Sequence, residues 1–273
     1  MDILFSIAIS IIIFVLGASI GSFINVVVYR LPAKISILRP PSRCPNCLKR
    51  LKPYDNIPLL GWIWLRGLCR YCQSPIALRY PLVEGFTGIV FLIVFWFFQF
   101  SILTIGYWIF CSWLLILALI DLDTMTLPEP LTKSGLVLGL VFQIIVGCGL
   151  EANSVGAIRH LMSGIGGSVV GLWLFDTIAL VGALIFSKAA LGAGDTKLVA
   201  MMGAWIGWRY LLIAILIACI SGVLVGGSAI VMAKHSLGKR MPFGPFLAFG
   251  GTLSIFCGEA ILSQYLHLFF PMV

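Results

Sequence analysis

The stretch Ile102-Leu-Thr-Ile-Gly-Tyr-Trp-Ile-Phe-Cys-Ser-Trp-Leu-Leu-Ile-Leu-Ala-Leu-Ile120 carries no charge and ends on Asp121. It is close to the roughly 20 apolar residues that a helix needs to cross a bilayer. Comparable runs recur at 3–29, 82–100, 131–150, 161–186, 210–233 and 246–270, with a shorter one at 198–206. Of the 273 residues, 60% are hydrophobic and 10% charged, whereas soluble chains carry about a quarter charged residues. The reading is an all-α polytopic membrane protein with about eight transmembrane helices, its partner the lipid bilayer.

Charge orients these spans. Ten of the 18 basic residues lie between Arg30 and Arg79, where Asp55 is the only acid. Basic loops of membrane proteins face the cytoplasm, so this balance does not call for nucleic acid. Asp2 before the first run and Arg30 after it are the reverse of a secretory signal's flanks. The first run is therefore expected to be a retained helix with its N-terminus outside. Prolines at 32, 40, 41, 45, 53, 58 and 75 break helix through residues 31–80. The expected organisation is a first transmembrane helix (1–29), a small cytoplasmic basic loop module (30–80) and a multi-helix membrane domain (81–273). Beyond residue 120 the runs alternate so that Asp121 and Asp195 share the cytoplasmic side. Trp208-Arg209 makes an outer turn, and Lys234, His235, Lys239 and Arg240 form another cytoplasmic loop.

Within the module, Cys44-Pro-Asn-Cys47 and Cys69-Arg-Tyr-Cys72 form two CxxC pairs separated by 21 residues. Two thiolate pairs on tight turns close a tetrahedral zinc site; two disulfides are the competing reading. Cytoplasmic thiols are kept reduced, which favours zinc. With all four positions filled by Cys44, Cys47, Cys69 and Cys72, the zinc is structural. Cys111, Cys148, Cys219 and Cys257 lie in apolar runs and read as buried small side chains.

The acids carry the chemistry. Asp195 lies in Gly192-Ala-Gly-Asp-Thr-Lys197, between two apolar runs, and a carboxylate beside hydrocarbon marks a functional site. Asp121 is its match in depth. Asp123, two residues on, points to another helix face and is left to solvent. Two carboxylates in one site cannot both ionise easily. The ionised member can activate water while the protonated one polarises a peptide carbonyl. Asp121 ends a helix and Asp195 begins one, so helix dipoles, with Lys197 nearby, favour Asp195 as the anion.

Several motifs then name a family. Gly21-Ser-Phe-Ile-Asn-Val-Val-Val-Tyr-Arg-Leu-Pro32, the paired CxxC loop, Asp55-Asn-Ile-Pro-Leu-Leu60, Leu65-Arg-Gly-Leu-Cys-Arg70 and Arg79-Tyr-Pro-Leu-Val-Glu84 stand in order before Asp121, Leu127-Pro128-Glu129 and Gly192–Lys197. Together they resemble bacterial type IV prepilin peptidases, with Glu129 where that family usually has Asp. The resemblance implies an inner-membrane aspartyl peptidase that cleaves the basic leader of type IV prepilins or type II pseudopilins at the cytoplasmic face. It also implies methylation of the new N-terminus with S-adenosylmethionine. Asp121 and Asp195 carry over as the catalytic pair, and the four cysteines as the zinc set. Asn25, Arg30 and Glu84 are candidate donor or substrate contacts, with structural roles at the membrane boundary equally open. A cation transporter using Asp121, Asp176 and Asp195 is the alternative from another class.

Overall fold

The computed structural model describes residues 3–39, 41–151, 154–186, 192–232 and 241–269. Asp2 and the basic stretch 234–240 lie outside them. The helices are α1 (Ile3–Arg30), α2 (Leu60–Trp64), α3 (Arg79–Phe98), α4 (Ile102–Thr124), α5 (Glu129–Glu151), α6 (Ser154–Phe186), α7 (Ala193–Val231) and α8 (Gly244–Phe269). All but α2 are long and apolar enough to cross a membrane. The chain forms two compact units, Met1–Ser112 and Trp113–Val273.

In the first unit α1 and α3 pack antiparallel. Ile13, Gly17, Gly21, Ile24 and Val28 make one buried stripe on α1, and Glu84, Gly88, Phe91 and Phe95 make its counterpart on α3. A Cβ on Gly17 would meet the Gly88 backbone at 2.8 Å, and one on Gly21 would meet Glu84 Cα at 2.8 Å. Lipid removes the hydrophobic drive between helices, so close backbone approach through small residues holds them together.

The eight apolar runs of the sequence map onto seven long helices among the described residues, because α7, in the second unit, holds two of them. Its backbone breaks at Gly207, with φ 72° and ψ 170°, a left-handed conformation that glycine adopts without a Cβ clash. Contacts along α6 give the consequence. Gly167 of α6 lies against Gly203 and also against Gly207 and Trp208; one turn further on, Gly171 meets both Val199 and Leu211. The arm before Gly207 therefore runs antiparallel to α6, and the arm after it runs parallel. The turn carries Trp208 and Arg209, whose guanidinium lies 5.4 Å from the indole ring.

The first arm, residues 193–206, spans only about 21 Å at 1.5 Å per residue. The hydrocarbon core is about 30 Å thick, so this arm cannot reach both faces. If the Trp-Arg turn sits at one surface, the length of the arm leaves Asp195 short of the other. The arm's carbonyl end leaves backbone acceptors without intrahelical partners. Gln143 on α5 donates Nε2–H to the Trp205 carbonyl at 2.9 Å, and the Trp205 indole N–H reaches the Gly135 carbonyl at 2.8 Å.

These contacts separate two adjacent glycines. A Cβ on Gly167 would come within 2.9 Å of Gly207 C and Trp208 N, whereas one on Gly166 meets nothing within 4 Å. Gly167→Ala is expected to destabilise by about 1–3 kcal/mol through overpacking. Gly166→Ala should be neutral or stabilising by up to about 1 kcal/mol from helix propensity. Thermal unfolding in one detergent checks both; equal behaviour of the two variants would contradict the α6–α7 packing.

Candidate active site and metal centre

Leu114, Leu117 and Asp121 share the buried stripe of α4, and Asp121 is 5% exposed while Asp123 is exposed. The two-residue offset separates them as helix geometry requires. After Asp121 the Met125 amide closes onto the Asp121 carbonyl at 2.8 Å, and Met125 adopts φ 51°. The chain then turns through Leu127-Pro128 into α5, fastened by the Trp113 indole N–H on the Leu131 carbonyl at 2.9 Å.

Asp195 stands at the start of α7, its amide bonded to the Gly192 carbonyl at 3.0 Å. The Gly192 amide in turn reaches its carboxylate. A Cβ on Gly194 would pack on Leu127 at 3.1 Å, so the glycine stretch seats itself on the turn that follows α4. Asp121 and Asp195, 74 residues apart in the chain, thereby come within reach of each other's charge.

A third element enters here that the sequence reading did not include. The Gly244 amide, at the start of α8, donates to Asp121 Oδ2 at 2.9 Å. A Cβ at that position would lie 2.7 Å from the same oxygen, so residue 244 has room only for glycine. The signal was present in the glycine between two prolines in Pro242-Phe-Gly-Pro245, just before an apolar run. Its contact also changes the electrostatics. The helix start of α8 supports an anion on Asp121, offsetting the α4 end that was expected to disfavour it. Each acid thus meets a helix start, Asp121 that of α8 and Asp195 that of α7, so helix dipoles alone do not set them apart. Lys197 does not turn to Asp195 either. Its ammonium lies 3.1 Å from Glu129 Oε1, which also takes Lys133 at 3.1 Å.

In the first unit the four module cysteines converge, their sulfurs all within 4.8 Å of one another. The two CxxC turns are built alike. The Cys44 amide bonds the Lys49 carbonyl and the Leu48 amide the Cys44 carbonyl; the Cys69 amide bonds Ser74 and the Gln73 amide Cys69 in the same pattern. Leu48 and Gln73 both take positive φ, 58° and 57°. All four thiols are free rather than paired in disulfides. Cys44 and Cys72 sulfurs lie 3.7 Å apart, close to the edge of about 3.8 Å expected for a tetrahedron with 2.3 Å metal–sulfur bonds. The Cys47 amide, opposed by burial and joined by the Asn46 amide and the Ser74 hydroxyl, brings the Cys44 thiol down to about 6. The cluster has the donor set and the spacing of a four-thiolate metal site.

The candidate donor contacts have other employment. Glu84 accepts the Leu59 amide at 2.7 Å and the Ser22 hydroxyl. Asn25 Nδ2–H reaches the Tyr80 carbonyl at 3.2 Å, and Arg30 spans the Ser36 and Ile37 carbonyls at 3.1 Å each. These bonds join α1, the module and α3 into one framework. Asp176 is exposed on α6 and joins neither acid.

Fold and site together define a polytopic membrane protein with two neighbouring acids on separate helices and a tetracysteine module. Comparison gives the family. Residues 15–98 match the bacterial peptidase A24 N-terminal domain and residues 108–227 the type IV leader peptidase family. The chain is 35% identical over 277 residues to the prepilin leader peptidase/N-methyltransferase of Stutzerimonas stutzeri, covering 93% of this chain and 92% of that protein. It is 34% identical to the same enzyme of Aeromonas hydrophila, with 94% and 93% covered. For Myxococcus xanthus the identity is 42% over 214 residues, 78% of this chain and 61% of that protein. The chain belongs to the type IV leader peptidase family. No solved structure matches it.

The Glu129–Lys197 bridge ties the starts of α5 and α7, but both side chains are about half exposed. Its coupling should therefore be weak and should fall with salt. A double-mutant cycle with Glu129→Gln and Lys197→Met, read by thermal unfolding at low and high salt, measures it.

Proposed function

We propose that this protein is a prepilin leader peptidase and N-methyltransferase. It cleaves the leader of a type IV prepilin or pseudopilin at the cytoplasmic face of the bacterial inner membrane, its own N-terminus outside, then methylates the new amine. The observation that carries the reading is the convergence of Asp121 and Asp195 from separate helices, in a chain whose relatives over nearly its full length bear that name. The functional division follows the first span (1–29), the metal module (30–80) and the catalytic membrane domain (81–273).

The geometry supports a one-proton acid pair. The ionised carboxylate takes a proton from water as the oxygen adds to the scissile carbonyl carbon. The protonated partner gives its proton to the carbonyl oxygen, forming a gem-diol. Collapse of the diol returns that proton to the second acid, while the first acid's proton passes to the leaving amine. Both carboxylates end as they began. The Gly244 amide holds Asp121 in place without contributing a proton. The site's setting among apolar helices suits a substrate whose apolar stretch lies in the bilayer, since only the peptide at the scissile bond need unwind there.

Zinc fits the four thiolates of Cys44, Cys47, Cys69 and Cys72, where it would hold the two like turns together and leave no coordination position for substrate. S-adenosylmethionine, when bound, supplies an electrophilic methyl group for the new amine. Asn25, Arg30 and Glu84 are engaged by backbone and framework, so none is assigned to that donor. Cation transport finds no support: the acids gather with a glycine turn and a helix start, Asp176 stays apart, and the relatives are named for leader cleavage.

Incubation of the purified protein with prepilin and labelled S-adenosylmethionine should yield a shortened, N-methylated product by mass spectrometry. Asp121→Asn and Asp195→Asn should each reduce cleavage to background. Gly244→Ala should lower kcat by about ten- to a hundred-fold, the worth of a hydrogen bond to a charged group, with KM nearly unchanged. Uncleaved prepilin with the parent protein would refute the assignment. Metal analysis should find one zinc per chain, lost in Cys44→Ser; metal-free protein carrying disulfides would refute the zinc site.

A further inference from the structure

The short helix α2 turns its apolar face outward. Leu60, Ile63 and Trp64 occupy positions i, i+3 and i+4, one side of a helix, and Trp64 is 83% exposed. Their neighbours are fixed inward. Gly61 is buried against the Asp55 carbonyl, and the Trp62 indole N–H donates to the Ile76 carbonyl at 3.2 Å. The outward face is thus a consequence of how α2 is held, and its three large side chains stay exposed among the described residues.

Its height is fixed as well. The Leu59 amide, just before α2, donates to Glu84 at 2.7 Å, and the Leu59 side chain lies over Gly85. Glu84 and Gly85 stand five and six residues into α3, about 8–9 Å along the helix. The interfacial layer on each side of the hydrocarbon core is about 5–7 Å deep. A helix pinned at that level of a membrane-spanning helix lies at the bilayer boundary, where Trp is enriched.

Charge points to the same surface. Lys34, Arg39, Arg43, Lys49, Arg50, Lys52 and Arg66 are all exposed in the module. The module's only acid, Asp55, is taken up by Arg70, whose Nη2 lies 2.6 Å from an Asp55 side chain that is 1% exposed. The basic charge is therefore not neutralised from within. Each such residue near an anionic leaflet strengthens attachment to it.

We propose that the tetracysteine module is a membrane-surface module: the Leu60–Ile63–Trp64 face inserts into the bilayer interface, and the surrounding Lys and Arg side chains bind anionic lipid headgroups. The metal-held turns would then be carried at a set height over the leaflet, tethered by α1 on one side and α3 on the other. This inference is independent of the peptidase assignment, because it uses neither Asp121 nor Asp195.

The test reads Trp64 in the full chain, reconstituted in nanodiscs of phosphatidylcholine with or without phosphatidylglycerol and carrying a headgroup-level nitroxide lipid. The emission difference between the parent and Trp64→Phe isolates this residue, and the exposed, conservative substitution leaves the fold intact. The expected result is loss of the difference emission to the nitroxide, deeper with phosphatidylglycerol, the extra quenching reversed by salt. Difference emission unaffected by nitroxide in both lipids would overturn the proposal. Shielding that accompanies a doubling of particle mass would give the face to a second copy, and shielding that requires added prepilin would give it to substrate; either overturns it.

Discussion

Two carboxylates set among apolar helices impose the main constraint on this protein. A charge in hydrocarbon is costly unless other groups compensate it, and a second carboxylate adds repulsion, so Asp121 and Asp195 need backbone donors close by. Three helix ends meet that need. α4 delivers Asp121 on its buried stripe, the turn before α7 delivers Asp195 beside the Gly192 amide, and α8 begins with the Gly244 amide against Asp121. Helix starts in a membrane expose N–H groups that water cannot satisfy. Pointing one at a carboxylate answers both demands at once.

The fold supplies one of those ends by shortening one arm. The reversal at Gly207 leaves an arm of residues 193–206, too short to cross, and Gly167 and Gly171 accept both of its limbs along α6. Gln143 and Trp205 then absorb the polar groups that the reversal uncovers. Packing of small residues, which in lipid replaces hydrophobic collapse, is thus connected through one glycine to the position of the chemistry.

The first unit has a different economy. Its module is too small and too broken by proline to build a large core, and four sulfurs and a few buried polar bonds organise it instead. Glu84 gathers Leu59 and Ser22, so three motifs scattered between residues 21 and 84 turn out to be one joint at the membrane boundary. Their pattern suggested ligand contacts when read along the chain. Once folded, the same residues hold helix to loop, and α2 is left facing outward at the height they define.

Much of this was legible in order along the chain. Apolar runs mark the helices, except that two of them fold into α7, and CxxC spacing brings four sulfurs together because tight turns leave few alternatives. The offset between Asp121 and Asp123 is likewise a property of one helix. The bond from Gly244 to Asp121 was not legible, since the two lie 123 residues apart and no local period connects them. Nor was the engagement of Lys197 by Glu129, which cancelled an electrostatic influence that proximity in sequence had suggested. Sequence determined which residues are expensive to bury and how long each helix could be. Tertiary structure decided which backbone amide each buried carboxylate would meet, because that depends on where the ends of distant helices come together.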